Sequence, residues 1–388
     1  VDGTVSLDWI ESAGCRVVNL LCKGSYKHVI EQLRKTPEQH VDDIRTVVLE
    51  AAKRKIDVNI YLEDWSNGIK HSPDYVFLVI DALKGLPIRR FMLPDTLGVL
   101  NPGNTYEYCK MMVDRYPDLR FDFHAHNDYD LAVANVYSAI RAGIKGIHTT
   151  VNGLGERAGN APLSSVLAVI KDQLGEETSL REEKINKASR LVETYSGVHI
   201  PPNKPIIGEH VFTQCAGVHA DGDSKNNLYC NDLLPERFGR VREYALGKTS
   251  GKANIRKNLE ALGIDMDEGS MRKVTERIIE LGDKKEMVTP EDLPYIISDV
   301  LHHDNALEDQ KIRILNYSLS LAQGLKPVAT LKIEINGEAY EESASGDGQY
   351  DAFVRALRRI YSRLNRPFPM LTNYSVSIPP GGRTDAFV

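Results

Sequence analysis

The fold of this protein is indicated most clearly by residues 121–128, Phe-Asp-Phe-His-Ala-His-Asn-Asp. The first six of these residues form a strand-like run, and the Asn-Asp pair ends it. Side chains of a strand alternate between two faces, so His124 and His126 point the same way, about 7 Å apart along the strand. Leu131–Ile140 then carries apolar residues at helical spacing. The sequence therefore predicts two histidines at the carboxyl end of a strand that leads into a helix.

Two imidazoles on one face of a strand end are a natural pair of metal ligands. The alternative is structural, because a single buried histidine more often forms hydrogen bonds within the protein. Residues 152–160, Asn-Gly-Leu-Gly-Glu-Arg-Ala-Gly-Asn, are predicted to be a loop because of their three glycines. Asn152 or Asn160 could add an oxygen ligand, and such a mixed set suits Mg, Mn, Zn or Fe. A plain turn, or a phosphate-binding loop without metal, is the alternative for this segment.

Strand-like and helical segments alternate over the first part of the chain, which predicts a parallel sheet. The predicted strands are Cys15–Leu21, Asp57–Leu62, Arg90–Leu93, Arg120–His126 and Gly146–Val151. The predicted helices between them include Pro37–Lys55, Pro73–Lys84 and Asn104–Arg115. Polar residues follow each strand, as they do at the catalytic end of a (β/α)8 barrel. Five strands leave two alternatives, an open sheet or a sequence that begins inside a barrel with its N-terminal strands missing, and we favour the barrel.

The rest of the chain is predicted to be mainly helical and then mixed. From about residue 171 to 302 no strand pattern is visible, and a phosphate-loop-like run at 246–252 lacks the required spacing. The predicted helices here are Ser179–Ser196, Glu268–Leu281 and one that starts with Thr289 as N-cap. The later segments are strands at Pro327–Ile335, Glu338–Ser343 and Asn373–Ile378, and a helix at Tyr350–Leu364. We therefore expect a barrel portion at 1–195, a helical linker region at 196–308 and a small α+β domain at 309–388.

Composition excludes several classes of protein. The 388 residues are 42% hydrophobic, enough for two or three domains with real cores. The formal net charge of −6 argues against a general nucleic-acid-binding protein. No apolar run is long enough for a membrane span, and no signal peptide opens the sequence. Five cysteines without Cys-x-x-Cys spacing predict reduced thiols in a cytoplasmic protein.

Several motifs together give the chain a specific resemblance. It resembles the metallo-aldolase superfamily of 2-isopropylmalate, homocitrate and citramalate synthases. The shared motifs are His-Ala-His-Asn-Asp at 124–128, the loop at 152–160, Ala-Gly-Val-His at 216–219 and Gly-Asp-Gly-Gln-Tyr-Asp-Ala at 346–352. Residues 61–68, 219–223 and 378–382 are most similar to the spirochaete-type citramalate branch. The family's Arg-Asp-Gly-Glu-Gln motif, which supplies an aspartate ligand on the first barrel strand, does not occur in this sequence.

The resemblance implies a Claisen condensation of acetyl-CoA with a 2-oxo acid. A divalent metal ion (Mg, Mn or Zn) would be held by His124, His126 and Asn160, and it would polarise the keto carbonyl as a Lewis acid. Glu63 would act as a base or orient the thioester, and His219 would take part in acetyl-CoA binding and proton transfer. The residues implied for CoA binding are Asp221, Asn227, Leu228 and Tyr229.

The resemblance also implies a substrate. Thr96 would contact the carboxylate of the oxo acid, while Leu21 and Tyr61 would close the pocket around a methyl group, which favours pyruvate and (R)-citramalate synthesis for isoleucine. The alternative substrate is 2-oxoisovalerate, for 2-isopropylmalate and leucine synthesis. Outside these condensations, the chain could be a metal-dependent lyase of the hydroxymethylglutaryl-CoA type or an inactive paralogue that serves as a binding subunit.

The last domain resembles the family's regulatory module. Its effector would be isoleucine or leucine, bound at the interface of a homodimer in which the CoA-binding segment reaches the partner's barrel. The residues implied for the effector pocket are Tyr350, Leu371, Tyr374, Ile378 and Val388. The alternative is a dimerisation core without an effector, which the same aromatic and aliphatic residues would serve.

Overall fold

The structure of the protein is a computed structural model that divides into two compact units. The described residues are 4–214, 217–223, 228–247, 251–283, 288, 290–301 and 312–369. The first unit comprises residues 1–265 and 282–287, and the second comprises 266–281 and 288–388. None of the helices in the described ranges is both long enough and apolar enough to cross a membrane.

The first unit begins with a five-stranded parallel sheet whose strands lie side by side in chain order. The strands are β1 (Val17–Lys23), β2 (Asp57–Glu63), β3 (Ile88–Asp95), β4 (Phe121–Ala125) and β5 (Gly146–His148). The helices are α1 (Val5–Ser12), α2 (Pro37–Lys53), α3 (Trp65–His71), α4 (Pro73–Leu83), α5 (Pro102–Arg115), α6 (Ala132–Arg141) and α7 (Leu163–Leu174). All five predicted strands form, with ends displaced by a few residues, and the fold is of the (β/α)8 barrel class.

The side chains of β4 alternate between the apolar core and the face of the sheet that carries the candidate site. Phe121, Phe123 and Ala125 are buried in the apolar core that also includes residues of the helices. The intervening residues Asp122 and His124 point to the opposite face of the sheet, here called the inner face. The same period in each strand therefore gives the sheet one face packed on helices and one face that carries polar side chains.

The remainder of the first unit contains strands that were not predicted. Its elements are α8 (Ile185–Ser196), β6 (Thr213–Gln214), α9 (Gly217–Asp223), β7 (Glu243–Tyr244) and α10 (Lys252–Leu262). No strand was predicted in this mainly helical region, but the two-residue strands β6 and β7 form and pair in parallel. The predicted helix at Ser179–Ser196 begins later, at Ile185, after a short 3₁₀ turn. A two-residue strand has no alternation to detect, which explains the omission.

The second unit contains a helix-covered antiparallel sheet. Its elements are α11 (Glu268–Asp283), α12 (Leu293–Leu301), β8 (Ile312–Ser320), β9 (Val328–Ile335), β10 (Glu338–Ser345) and α13 (Gln349–Arg363). β9 is the central strand between β8 and β10, and α13 packs its apolar side against β9 and β10. The edge strand β8 was not predicted separately, and every one of its residues is exposed. Thr289 and the predicted strand at 373–378 lie outside the described residues.

Candidate active site

The glycine-rich loop returns to the end of β4 and pairs with it. The amide of Asn127 donates to the carbonyl of Gly159 (2.9 Å), and the amide of Ala161 donates to the carbonyl of Ala125 (3.2 Å). His126 and Asn160 are consequently opposed in an isolated β-bridge. Backbone pairing therefore brings Asn160 next to the histidine pair, as the metal-site hypothesis requires.

His124, on β4, and His126, just after the end of β4, lie side by side. The ring centroids of His124 and His126 are 5.0 Å apart. Burial, aided by the neighbouring imidazoles of His126 and His148, lowers the pKa of His124 to about 4. Burial, aided by the charge of Arg157, also lowers the pKa of His126. Both rings are therefore neutral near pH 7, which is the protonation state in which imidazole binds a metal.

Unpartnered buried atoms at this site fit a divalent cation. Asn160 is only 8% exposed, and its Nδ2 donates to the carbonyl of Leu154 (3.0 Å). Its Oδ1, like His126 Nδ1, has no hydrogen-bond partner within the described part of the chain. A buried acceptor without a partner costs about 1–3 kcal/mol, which a bound cation would offset. No three His, Cys, Asp or Glu side chains of the described residues group closely enough for a metal, and the amide oxygen of Asn160 is the candidate for a third ligand.

Arg157, which was not among the predicted site residues, fastens the loop to the sheet. It binds the Asp128 carboxylate with two nitrogens (Nε–Oδ1 2.7 Å, Nη2–Oδ2 3.0 Å) and donates to the carbonyl of Thr96 (2.8 Å). The loop is thereby tied to the segments that follow both β3 and β4. Asn152, the other candidate oxygen ligand, also has a buried Oδ1 without a partner among the described residues, but its Nδ2 donates to the carbonyl of Ser189 on α8 (3.0 Å), whereas Asn160 is paired with His126. The geometry thus favours Asn160 over Asn152.

The Asn160 amide lies so close to Gly155 that it leaves no room for a side chain at residue 155. A Cβ at Gly155 would lie 2.4 Å from Asn160 Nδ2, so Gly155→Ala should push the amide out of place. We expect metal affinity to fall roughly 10- to 100-fold, as when an outer-shell contact is lost. Equilibrium dialysis with Mn²⁺ measures this. Gly85→Ala is the matched control, because a Cβ there meets nothing within 4 Å, and equal affinities of the two variants would contradict the prediction.

Of the predicted substrate-pocket residues, Tyr61 lies next to the histidines and Leu21 lies next to Tyr61. The rings of Tyr61 and His124 meet edge to face, with centroids 5.9 Å apart, and Leu21 is opposite Tyr61 in the sheet register. Burial and the charges of Glu63 and Glu156 raise the pKa of Tyr61 to about 12, so its hydroxyl stays protonated. Leu21 is 58% exposed and hence available to contact a ligand.

Thr96 and Glu63 stand at the carboxyl ends of neighbouring strands. Thr96 Oγ1 accepts from the amide of Asp64 (2.8 Å), so the hydroxyl hydrogen remains to donate to a carboxylate. Glu63 Oε2 forms an ion pair with the ammonium of Lys23, a residue that was not predicted to belong to the site. Tyr61, Glu63, Thr96 and the histidines therefore all stand at or near the carboxyl ends of β2, β3 and β4.

A buried charge network underlies the histidines. Asp122, 1% exposed, is bonded to Arg90 Nη1 (2.7 Å) and lies 3.5 Å from His148 Nε2. Burial by itself would raise the pKa of Asp122, but hydrogen bonds from His148 and Arg90 outweigh it and lower the pKa. The His148 ring is 5.7 Å from that of His124. His148 was not predicted to belong to the site, although alternation along β5 would have placed it on the inner face.

The second predicted cluster lies around α9. His219 Nδ1 is 3.2 Å from Gln214 Oε1, and the His219 ring lies over that of Tyr229 with centroids 4.3 Å apart. Because an amide oxygen only accepts, Nδ1 is the nitrogen that donates in this contact. Leu228 is 68% exposed beside this pair. Asp221 lies on the same helix, and the predicted CoA-binding residue Asn227 lies outside the described residues.

The predicted effector pocket is only partly described. Tyr350, 41% exposed, lies in the first turn of α13. The other four predicted residues, Leu371, Tyr374, Ile378 and Val388, lie outside the described residues.

Comparison with known proteins covers almost the whole chain. Three family models match: HMGL-like over residues 2–192, homocitrate synthase post-HMGL domain-like over 206–286, and the LeuA allosteric (dimerisation) domain over 287–388. A Methanocaldococcus jannaschii protein named (R)-citramalate synthase is 31% identical over 96% of this chain and 74% of its own length. A Methanopyrus kandleri protein provisionally named 2-isopropylmalate synthase is 34% identical over 87% and 68%.

A further relative and a solved structure are also similar to this chain. Another Methanopyrus kandleri protein, provisionally named (R)-citramalate synthase, is 33% identical over 98% of this chain and 73% of its own length. The Bacillus subtilis HMG-CoA lyase structure has a TM-score of 0.48 at 21% identity, covering 53% of this chain and 72% of that one. The sequence matches extend over the segments that contain the shared motifs and the strand-end residues. The chain belongs to the family of 2-isopropylmalate, homocitrate and citramalate synthases.

Proposed function

We propose that this protein catalyses the metal-dependent condensation of acetyl-CoA with a 2-oxo acid, with pyruvate as the preferred acid and (R)-citramalate as the product. The observation that carries the proposal is the convergence of His124, His126 and Asn160 beside Tyr61 at the carboxyl end of the sheet. Two neutral imidazoles and an unpartnered amide oxygen suit a divalent ion such as Mg, Mn or Zn. When bound there, such an ion polarises the keto carbonyl of the substrate.

The side chains supply orientation and proton transfer. The Thr96 hydroxyl donates to the substrate carboxylate, and the apolar wall of Leu21 and the Tyr61 ring surrounds the substrate methyl group. The methyl group of acetyl-CoA must lose a proton before its carbon attacks the keto carbon. His219, whose ring is oriented by the contact of Nδ1 with Gln214 Oε1, is suited to take part in that transfer. Hydrolysis of the thioester then releases CoA.

The main competing substrate is 2-oxoisovalerate, because one of the relatives bears the name of a 2-isopropylmalate synthase. Thiol release from acetyl-CoA should therefore be measured with pyruvate, 2-oxoisovalerate and 2-oxoglutarate, in Mg²⁺ or Mn²⁺. Preference for pyruvate would support the proposal, and preference for 2-oxoisovalerate would replace it with 2-isopropylmalate synthesis. Thiol release with none of the three acids would indicate a lyase or an inactive paralogue.

Leu21 should control the choice of oxo acid. Shortening it in Leu21→Ala makes room for a branched side chain next to Tyr61. We expect the ratio of kcat/KM for 2-oxoisovalerate to that for pyruvate to rise roughly 10- to 200-fold, since pocket methylenes contribute about 1–3 kcal/mol. Leu49→Ala is the control, because Leu49 is also exposed but lies on α2. An unchanged ratio in Leu21→Ala would contradict the pocket assignment.

We also propose that the second unit mediates homodimerisation and binds isoleucine or leucine. The match to the LeuA allosteric (dimerisation) domain supports this. Calorimetric titration of both amino acids into the full chain tests effector binding. The mass of the chain in solution tests dimerisation separately. Heat from neither amino acid would reject the effector role without affecting the catalytic proposal.

A further inference from the structure

Lys23 is a buried cation at the rim of the candidate active site. It is the last residue of β1 and lies opposite Glu63 in the sheet register. Its side chain is 9% exposed, against 28% for Glu63, and its ammonium forms an ion pair with Glu63 Oε2. Lysine is rarely buried to this extent unless it is paired. Lys23 also follows Leu21 by two residues, so both side chains point to the inner face.

Two buried side chains fix the backbone of Lys23. Its amide donates to Nε2 of His40 on α2 (3.1 Å), and its carbonyl accepts from the hydroxyl of Tyr75 on α4 (2.9 Å). Both partners are at most 5% exposed. The amide of the next residue, Gly24, donates to the carbonyl of Glu63 (2.6 Å). The base of the Lys23 side chain is thus held by two helices and the neighbouring strand.

We propose that Lys23 is a positioning residue that holds the Glu63 carboxylate in place for the condensation. This inference rests on the proposed function. A glutamate at a strand end would otherwise sample several rotamers, and fixing it costs entropy that the anchored ammonium offsets. With Oε2 engaged by Lys23, Oε1 is the oxygen that remains to contact the acetyl-CoA thioester. The ion pair therefore fixes the orientation in which Glu63 meets the substrate.

Lys23→Met in the full-length protein removes the charge but keeps most of the side-chain volume. We expect kcat to fall roughly 10- to 100-fold, the effect of a displaced catalytic group, with KM for the oxo acid changed less than about threefold. Lys23→Arg should recover part of kcat because it keeps the charge. Lys35→Met is the matched control, because it breaks an ion pair with Asp43 whose partners are 43% and 52% exposed, and its kcat should equal that of the wild type.

A double-mutant cycle separates positioning from a structural role. If Lys23 acts through Glu63, Lys23→Met should slow the Glu63→Gln variant by less than about twofold, whereas independent effects would multiply. Wild-type kcat in Lys23→Met, or multiplying effects in the double variant, would overturn the positioning role while leaving the proposed function intact. A wild-type chain that releases no thiol with any oxo acid would overturn the proposed function, and the role of Lys23 with it.

Discussion

His124→Gln is expected to lose bound metal and to lower kcat/KM by roughly three orders of magnitude. A metal ion that polarises a carbonyl contributes several kcal/mol to transition-state stabilisation, and each 1.4 kcal/mol corresponds to about a factor of ten. Glutamine cannot replace the half-buried neutral imidazole that lies 5.0 Å from the ring of His126. Metal content by plasma mass spectrometry and thiol release from acetyl-CoA measure the two losses in the same preparation.

The control for this experiment is an exposed histidine that is not among the candidate metal ligands. The side chain of His199 is 94% exposed and lies near Glu193 on α8, so His199→Gln should retain full metal content and activity. Chelation of the wild-type chain should reproduce the inactivity of His124→Gln, and added Mn²⁺ should restore only the wild type. Full metal content in purified His124→Gln would remove His124 from the ligand set.

The second large effect concerns stability. Asp122→Ala is expected to lower the free energy of unfolding by about 3–5 kcal/mol, because it leaves the partly buried Arg90 without its carboxylate. It also removes the carboxylate that lies 3.5 Å from His148. Urea unfolding followed by circular dichroism measures the loss.

A neighbouring ion pair provides the matched control for Asp122. Arg89 and Asp57 form an ion pair (Nη1–Oδ2 3.1 Å), but their side chains are 54% and 60% exposed. Asp57→Ala should therefore cost less than about 1 kcal/mol. Similar losses of unfolding free energy in Asp57→Ala and Asp122→Ala would show that burial does not determine how much the Asp122 network contributes to stability.

Much of the barrel portion could be predicted because its signals are local. The alternation along residues 121–126 correctly predicted β4 and placed His124 and His126 on the same face. The Thr-Pro start of α2 is also a local signal, and α2 begins at Pro37 as predicted. By contrast, α5 begins at Pro102, before the predicted Asn104, because Asn101 caps it. The short strands β6 and β7 escaped prediction because two residues have no measurable period.

Composition, the strand–helix alternation, the histidine pair and the family motifs were thus determined by the sequence itself, since each depends on residues close together in the chain. The local pattern left Asn152 and Asn160 as alternatives and the family resemblance implied Asn160, but only the tertiary structure shows that Asn160 lies opposite His126. It also decided that Lys23 pairs with Glu63 and that Asp122 binds Arg90 and His148. These contacts depend on which residues come into register across parallel strands and on how the glycine-rich loop closes over β4. Register is set by the packing of the helices and sheet as a whole, and it cannot be predicted from a local sequence pattern.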